Sequence, residues 1–416
     1  MQFPILLKYL SKLPPRIAGW LENKLIKSPI IDNTIEKEHK KIIPKLEQIL
    51  KPYINIFKTH TTIPASGLSK IEILEDMKKI SSLEKKPWKE GYVSGAVYHG
   101  NDKHISFLND VYSLQSQSNP LHSDLFPSAS KFESEIVSMT ANMLGADKTD
   151  DEICGVVTSG GTESILLAMK TYRDRANEIN GIHLPNIIMP TTAHAAFDKA
   201  GEYFKIEIIR IPINDNSQID ISKVDKAINK NTIAIIGSAP NFPHGTIDPI
   251  KKMADIAQKH NLGMHVDACL GGFVLPWAKK LGYPIPNFDF QIPGVTSISV
   301  DTHKFGYAAK GTSVILYRTP QLRHYQYYTI ADWPGGLYFS STFSGSRPGA
   351  LIACCWAAML VMGENGYLES VRSILNTAEK IKKHLQEIKG LKLIGDPLWV
   401  ISFTSSEFDI YELITS

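Results

Sequence analysis

Ser299-Val-Asp-Thr-His-Lys-Phe-Gly306 is the stretch on which the fold turns. Small and β-branched residues, Ser297-Ile-Ser-Val300, run into it as a buried strand would, and then Asp301, His303 and Lys304 follow, with Gly306 free to turn the chain. In a parallel α/β sheet, sites collect where strands give way to loops at their carboxyl ends. A lysine placed there can be partly desolvated, which lowers its pKa and lets a neutral amine form a Schiff base. A solvated surface lysine is the plainer alternative.

Outward from this stretch the same punctuation repeats. Strand-like runs are Gly155-Val-Val-Thr158, Asn186-Ile-Ile-Met189, Glu207-Ile-Ile-Arg-Ile211, Thr232-Ile-Ala-Ile-Ile236, Leu262-Gly-Met-His-Val266 and Thr312-Ser-Val-Ile-Leu-Tyr317. Several are apolar on both faces, as strands of a covered parallel sheet are. Between them, residues 162–176 place Ile165, Leu166, Met169 and Tyr172 at helical spacing, and Asp248-Pro249 supplies a cap and first-turn proline for a second helix. The expected class is α/β: a large, mostly parallel sheet domain with helices on both faces, plus a smaller C-terminal α+β domain. The small domain begins with a long amphipathic helix over 368–391, then strands Leu391-Lys-Leu-Ile394 and Trp399-Val-Ile-Ser-Phe403, then a helix opening at Asp409-Ile-Tyr-Glu-Leu413. The expected divisions are an N-terminal arm at 1–60, the large domain at 61–365, and at 366–416 the start of a small domain that reads as incomplete.

Three more motifs follow strands. His265-Val-Asp-Ala-Cys-Leu-Gly-Gly272 brings Asp267 out of an apolar strand, where a carboxylate is costly unless it meets a cation. A protonated pyridine nitrogen is one such cation; a helix cap or a structural ion pair are the others. Val157-Thr-Ser-Gly-Gly-Thr-Glu163 lets Ser159, Gly160, Gly161 and Thr162 aim amides and hydroxyls at an anion on a helix N-terminus, or simply makes a tight capped turn. Thr191-Thr-Ala-His194 offers an imidazole to stack on a flat ring, or a surface histidine. Their order (phosphate turn, histidine, aspartate, lysine) is that of a fold-type I enzyme of pyridoxal 5'-phosphate.

Composition narrows the classes. The chain has 416 residues, 43% of them hydrophobic and 21% charged, which suits a globular protein with a sizeable core. Lys+Arg minus Asp+Glu is 45 − 42 = +3, too balanced to argue for a nucleic-acid partner. Cys154, Cys269, Cys354 and Cys355 have neither disulfide-framework nor metal-site spacing, so reduced thiols and no metal are expected. The apolar run from Leu351 to Met362 is shorter than the roughly 20 residues a spanning helix needs. The basic N-terminus, interrupted by Pro14-Pro15, suits an arm on a partner subunit, or less well an amphipathic segment on a membrane surface. A soluble cytoplasmic protein is expected, with export to another cell and peripheral membrane contact left open.

Taken together, the motifs resemble the sphingosine-1-phosphate lyase family, within the group II pyridoxal phosphate decarboxylases. The resemblance runs from about Lys51 to the end. Ser94-Gly-Ala-Val-Tyr98, Asn119-Pro-Leu-His-Ser-Asp-Leu-Phe-Pro127, Thr158-Ser-Gly-Gly-Thr-Glu163, Ser238-Ala-Pro-Asn-Phe-Pro-His-Gly245, Asp267-Ala-Cys-Leu-Gly-Gly272, Asp301-Thr-His-Lys304 and Gly345-Ser-Arg-Pro-Gly349 carry it. It implies a fold-type I transferase-like architecture and retro-aldol cleavage of the C2–C3 bond of phosphorylated sphingoid bases. By that resemblance Lys304 would carry the cofactor, Asp267 would pair with its ring nitrogen, and His194 would stack on the ring. Ser159, Gly160, Gly161 and His303 would hold the cofactor phosphate. Ser344, Gly345 and Ser346 would reach the neighbouring subunit's cofactor in an intertwined homodimer. Tyr98, Asn119, His122 and Lys310 would face the substrate, with Lys304, Tyr98 and His122 as proton carriers. Two departures stand out: no N-terminal membrane anchor is read here, and Phe242 occupies a position where some members have Tyr. An amino-acid decarboxylase of the glutamate type, which would share Lys304 and Asp267, is the alternative. A catalytically dead scaffold retaining the fold is a further one.

Overall fold

In a computed structural model the chain divides into two compact units, Met1–Val93 and Ser94–Ser416. The residues described are 40, 43, 44, 47, 50–54, 56–84, 89–93, 95–407, 409 and 410. Most of the expected N-terminal arm, Ser94 of its motif, and the bulk of the helix expected from Asp409 lie outside them. In the first unit, helix α1 (Lys70–Leu83) has no buried residue.

The second unit is built on a seven-stranded sheet. Its strands are β1 (Cys154–Thr158), β2 (Asn186–Pro190), β3 (Glu207–Ile211), β4 (Thr232–Ser238), β5 (Gly263–Asp267), β6 (Ser297–Val300) and β7 (Ser313–Tyr317). All seven expected runs are strands. They lie in the order β1-β7-β6-β5-β4-β2-β3, with β7 antiparallel to both its neighbours and the other pairings parallel. Alternate residues feed two cores. Ile188, Ile235, Met264, Val266 and Ile298 face one, while Ile187, Ala234, Ile236 and Ile315 face the other. The second face is covered by helix α2 (Gly161–Asn180), whose Ile165, Leu166, Met169 and Tyr172 are buried and which ends on Gly181 in the left-handed conformation. The sheet thus aligns the carboxyl ends of β1, β2, β4, β5 and β6 along one edge.

Three local expectations are corrected. Asp248 does not cap helix α3 (Ile250–Lys259); its carboxylate accepts the backbone N–H groups of Ile219 (3.0 Å) and Ser238 (2.9 Å) inside the core. The helix expected over 368–391 is the second part of a longer one, α4 (Gly349–Glu387), broken at Gly363, whose φ of 56° and ψ of −179° are not helical. By length and the apolar character of one 18-residue stretch α4 could cross a bilayer, but Ile352, Ala353, Cys354, Cys355, Ala357 and Ala358 of its first part are buried in the core. The small two-stranded sheet pairs β8 (Leu391–Leu393) with β9 (Phe403–Ser405), so the second strand starts at Phe403 and not at Trp399. The apolar residues before it are claimed by the large sheet's core, where Leu398 and Trp399 pack.

Candidate active site

The loops at that sheet edge enclose a cavity of about 500 Å³. Its lining includes Ser159, Gly160, Gly161 and Thr162 after β1, His194 after β2, Asp267 and Cys269 at the end of β5, and Asp301, His303 and Lys304 after β6. Tyr98 and Phe242 complete one side. Five segments far apart in sequence therefore share one space because each follows or ends a strand, and Tyr98, from the chain ahead of the first strand, joins them.

Lys304 does not carry the charge state expected of it. Burial pulls its pKa down, as foreseen, and is the largest single influence, but the Asp301 carboxylate, with Oδ2 2.8 Å from Nζ, acts together with Cys269 and Asp267 to hold the ammonium above the usual lysine range. Asp301 is itself buried, and its Oδ1 has no hydrogen-bond partner. His303 donates from Nδ1 to the Thr312 carbonyl at 2.5 Å, which leaves Nε2 toward Asp301 Oδ2 at 4.0 Å. At the glycine turn, Gly160 has φ 156°, ψ 170°, a conformation open essentially to glycine alone. A Cβ on Gly161 would lie 2.7 and 2.8 Å from the Asp301 carboxylate oxygens, so only glycine fits there too. The Ser159 N–H is taken by Glu163 Oε2 at 2.6 Å. Its hydroxyl and the first-turn amides of α2 are the groups left to face the cavity.

The donor set suits pyridoxal phosphate. One end of the cavity offers hydroxyls, helix N-terminal amides and an imidazole for an anion; another offers the Asp267 carboxylate for a cation; Lys304 lies in the same space for a carbonyl. Asp267 accepts from the Cys269 N–H (3.0 Å) and the Ser299 hydroxyl (3.4 Å), both on Oδ1. His194 lines the same cavity and accepts the Ala196 N–H on Nδ1 at 3.1 Å.

The remaining expected residues gather elsewhere. Asn119 donates to Ser346 Oγ (3.1 Å) and accepts the Arg347 N–H (3.3 Å), clamping the 344–347 loop. Arg347 in turn pairs with Glu133 at 2.7 Å and donates to the Val157 carbonyl at 2.9 Å. Ser344 and Ser346 line a neighbouring cavity of about 140 Å³, which shares Ser159, Glu163 and Gly311 with the first. His122 is exposed, and neither it nor Asn119 lines the larger cavity. Lys310 Nζ sits 4.8 Å from the centre of the Tyr98 ring; burial and then the Lys304 charge lower its pKa.

A family profile, the pyridoxal-dependent decarboxylase conserved domain, matches residues 52–403. The chain is 48% identical over 390 residues to sphingosine-1-phosphate lyase of Dictyostelium discoideum, covering 92% of this chain and 72% of that one. This chain belongs to the sphingosine-1-phosphate lyase family. Among solved structures, the Burkholderia pseudomallei sphingosine-1-phosphate lyase matches with TM-score 0.85 at 42% identity, over 87% of this chain and 84% of that one. Glutamate decarboxylase of Lactobacillus brevis matches with TM-score 0.72 at 19% identity, over 86% of this chain and 84% of that one, a likeness of fold alone.

Three residues of this family member were quoted within motifs without being given a role. Asp301 pairs with Lys304 and is the foremost of the groups that favour its ammonium. Glu163 joins the glycine turn to the 342–346 loop, accepting the Ser159 N–H on one oxygen and the Phe343 N–H (3.1 Å) on the other. Cys269 lies under both carboxylates, its thiol pushed well up by burial and then by Asp267 and Asp301. Asp301 stands three residues before Lys304, and that spacing was the signal available for it.

Proposed function

We propose that this chain is a pyridoxal 5'-phosphate-dependent carbon–carbon lyase that breaks the C2–C3 bond of phosphorylated sphingoid bases, releasing phosphoethanolamine and a long-chain aldehyde. The observation carrying this is that Lys304, Asp267, His194 and the 159–161 turn line one cavity in a chain of this family. When bound, pyridoxal phosphate supplies a cationic ring that accepts the electrons of the breaking bond. Asp267 holds the proton on the ring nitrogen by ion pairing. Ser159, Gly160, Gly161 and His303 bind the phosphate, His194 flanks the ring, and Lys304 anchors the aldehyde carbon. Retro-aldol cleavage also requires that the C3 hydroxyl proton leave and that C2 gain one. Burial raises the Tyr98 phenol, with Lys304 opposing and Asp301 adding, so at neutral pH Tyr98 keeps its proton and serves as a donor. Lys304 and Tyr98 are the proton carriers this chain brings to its own cavity.

Lys310 supplies positive charge for the substrate phosphate. Asn119, His122 and residues 344–346 serve the cavity of a neighbouring copy in a homodimer with shared sites, a reading supported by the exposure of His122, Ser344 and Ser346 and by the bond that ties Asn119 to Ser346. The protein works on its lipid substrate from the aqueous side, in the cytoplasm. Aldehyde release from sphingosine-1-phosphate by the wild type, and none by Lys304→Ala, is the expected result. Carbon dioxide released from glutamate without any aldehyde from the lipid would replace this reading by an amino-acid decarboxylase.

A further inference from the structure

Beneath the cavity, on the sheet face covered by α2, five polar side chains form an unbroken line through the core. The Tyr172 hydroxyl lies 2.6 Å from Ser297 Oγ, and Ser297 Oγ lies 2.8 Å from His265 Nδ1. His265 Nε2 lies 3.2 Å from Ser299 Oγ, and Ser299 Oγ lies 3.4 Å from Asp267 Oδ1. The strand register places His265 opposite Ser297 and Asp267 opposite Ser299, so the line runs between β5 and β6. His265, Ser297 and Ser299 are completely buried.

An ionised carboxylate only accepts, and this fixes the direction of the protons from Ser299 back to Ser297. Ser299 must donate to Asp267, so its oxygen accepts the His265 Nε2–H and also the Cys269 thiol at 3.4 Å. His265 is then bare at Nδ1 and accepts from Ser297, whose oxygen is left only to accept from Tyr172, a hydroxyl that also lies 2.7 Å from Thr296 Oγ1. Burial pushes His265 down to about 4 against the opposing pull of Asp267, and burial holds Tyr172 up at about 12. Both rings are therefore neutral at working pH, as this one-way arrangement requires. We propose that Ser299, His265, Ser297 and Tyr172 are positioning residues: a polarised hydrogen-bond relay that fixes Asp267 through Oδ1 and leaves Oδ2 for the cationic nitrogen of the cofactor ring. Each member polarises the next toward the carboxylate, strengthening the line beyond its separate bonds.

This rests on the proposed use of pyridoxal phosphate, and its test reads cofactor affinity, not turnover. Apoenzyme is titrated with pyridoxal phosphate and followed by visible absorbance. Ser299→Ala, which removes one oxygen, is expected to weaken binding about tenfold, and Tyr172→Phe at the far end about two- to threefold. In an Asp267→Asn background both effects should vanish, because the relay acts only through that carboxylate. Tyr317→Phe, which deletes an equally buried hydroxyl bonded to Thr171 at 3.1 Å outside the relay, should lower thermal stability without changing affinity. The same loss from Ser299→Ala in both backgrounds, or wild-type affinity in Ser299→Ala, overturns the relay. Wild type that binds pyridoxal phosphate but cleaves no phosphorylated sphingoid base overturns the lyase reading and leaves the relay standing. Wild type that takes up no pyridoxal phosphate overturns both.

Discussion

The Lys304 cavity and the clamp joining Asn119 to Ser346 are both made from family motifs, yet the chain supports them differently. Every cavity residue that would touch the cofactor hangs on the end of a buried strand, and the acidic members, Asp267 and Asp301, are themselves buried. The clamp is two loops tied by side-chain bonds, with Ser344, Ser346 and His122 exposed. A strand end fixes a side chain to within the tolerance of sheet packing, which suits a bound cofactor that stays. A loop presented at the surface suits a site completed by another copy.

The difference can be broken at its strongest point first. Lys304→Ala should reduce aldehyde release by at least about a thousandfold and abolish the borohydride-trapped adduct seen by mass spectrometry, since it removes the anchoring nucleophile. An adduct persisting on another side chain would relocate the chemistry. Asp267→Asn keeps the shape but not the charge, and should cost about a hundredfold in kcat. A change confined to KM would show that Asp267 serves substrate binding instead.

Acid sharpens the contrast, because the cavity half rests on buried titrating groups. Between the usual histidine range and about 4, the unfolded chain holds a proton that folded His265 refuses, so His265 costs stability as pH falls. Asp248 has the opposite sign. Burial raises it to about 6, so its penalty is present above that pH and is lost on acidification toward the usual aspartate range. In denaturation from pH 7 to 4.5, His265→Gln should gain about 2–3 kcal/mol relative to wild type and Asp248→Asn should lose a similar amount. Parallel pH profiles for all three proteins would contradict the burial argument.

Smaller effects belong to the clamp. Asn119→Ala should lower kcat/KM about tenfold, and unfolding and remixing it with Lys304→Ala should restore about a quarter of wild-type activity, as random hybrid dimers with one intact site would give. No recovery on mixing would make the clamp act in its own chain. Least is expected of Phe242→Tyr: Phe242 is 62% exposed at the cavity rim, and an added hydroxyl there should change kcat/KM by less than about threefold.

Much of this was legible in advance for a physical reason. Runs such as Thr232-Ile-Ala-Ile-Ile236 announce a buried strand because hydrophobic pattern and β-branching act locally, and the residue after each run is then known to sit at a sheet edge. Ser159, His194, Asp267 and Lys304 could be placed in one site by that rule alone. Trp399 to Ile401 misled because the same apolar pattern serves a strand or a patch docked on a neighbouring core, and only the contact decides. Asp248 misled because a carboxylate beside a proline resembles a helix cap until the backbone of a distant segment claims it.

By itself the sequence determined the strands, the turns that end them and the residue types offered at each end, because pattern, turn chemistry and spacing are properties of neighbours along the chain. Tertiary structure alone decided that β7 runs antiparallel between β1 and β6, that Asp301 and the acidic groups around it offset the burial of Lys304, and that His265 lies in line with Asp267. Charges and hydrogen bonds act through space over a few ångströms, and which groups come that close is settled only when distant segments pack together.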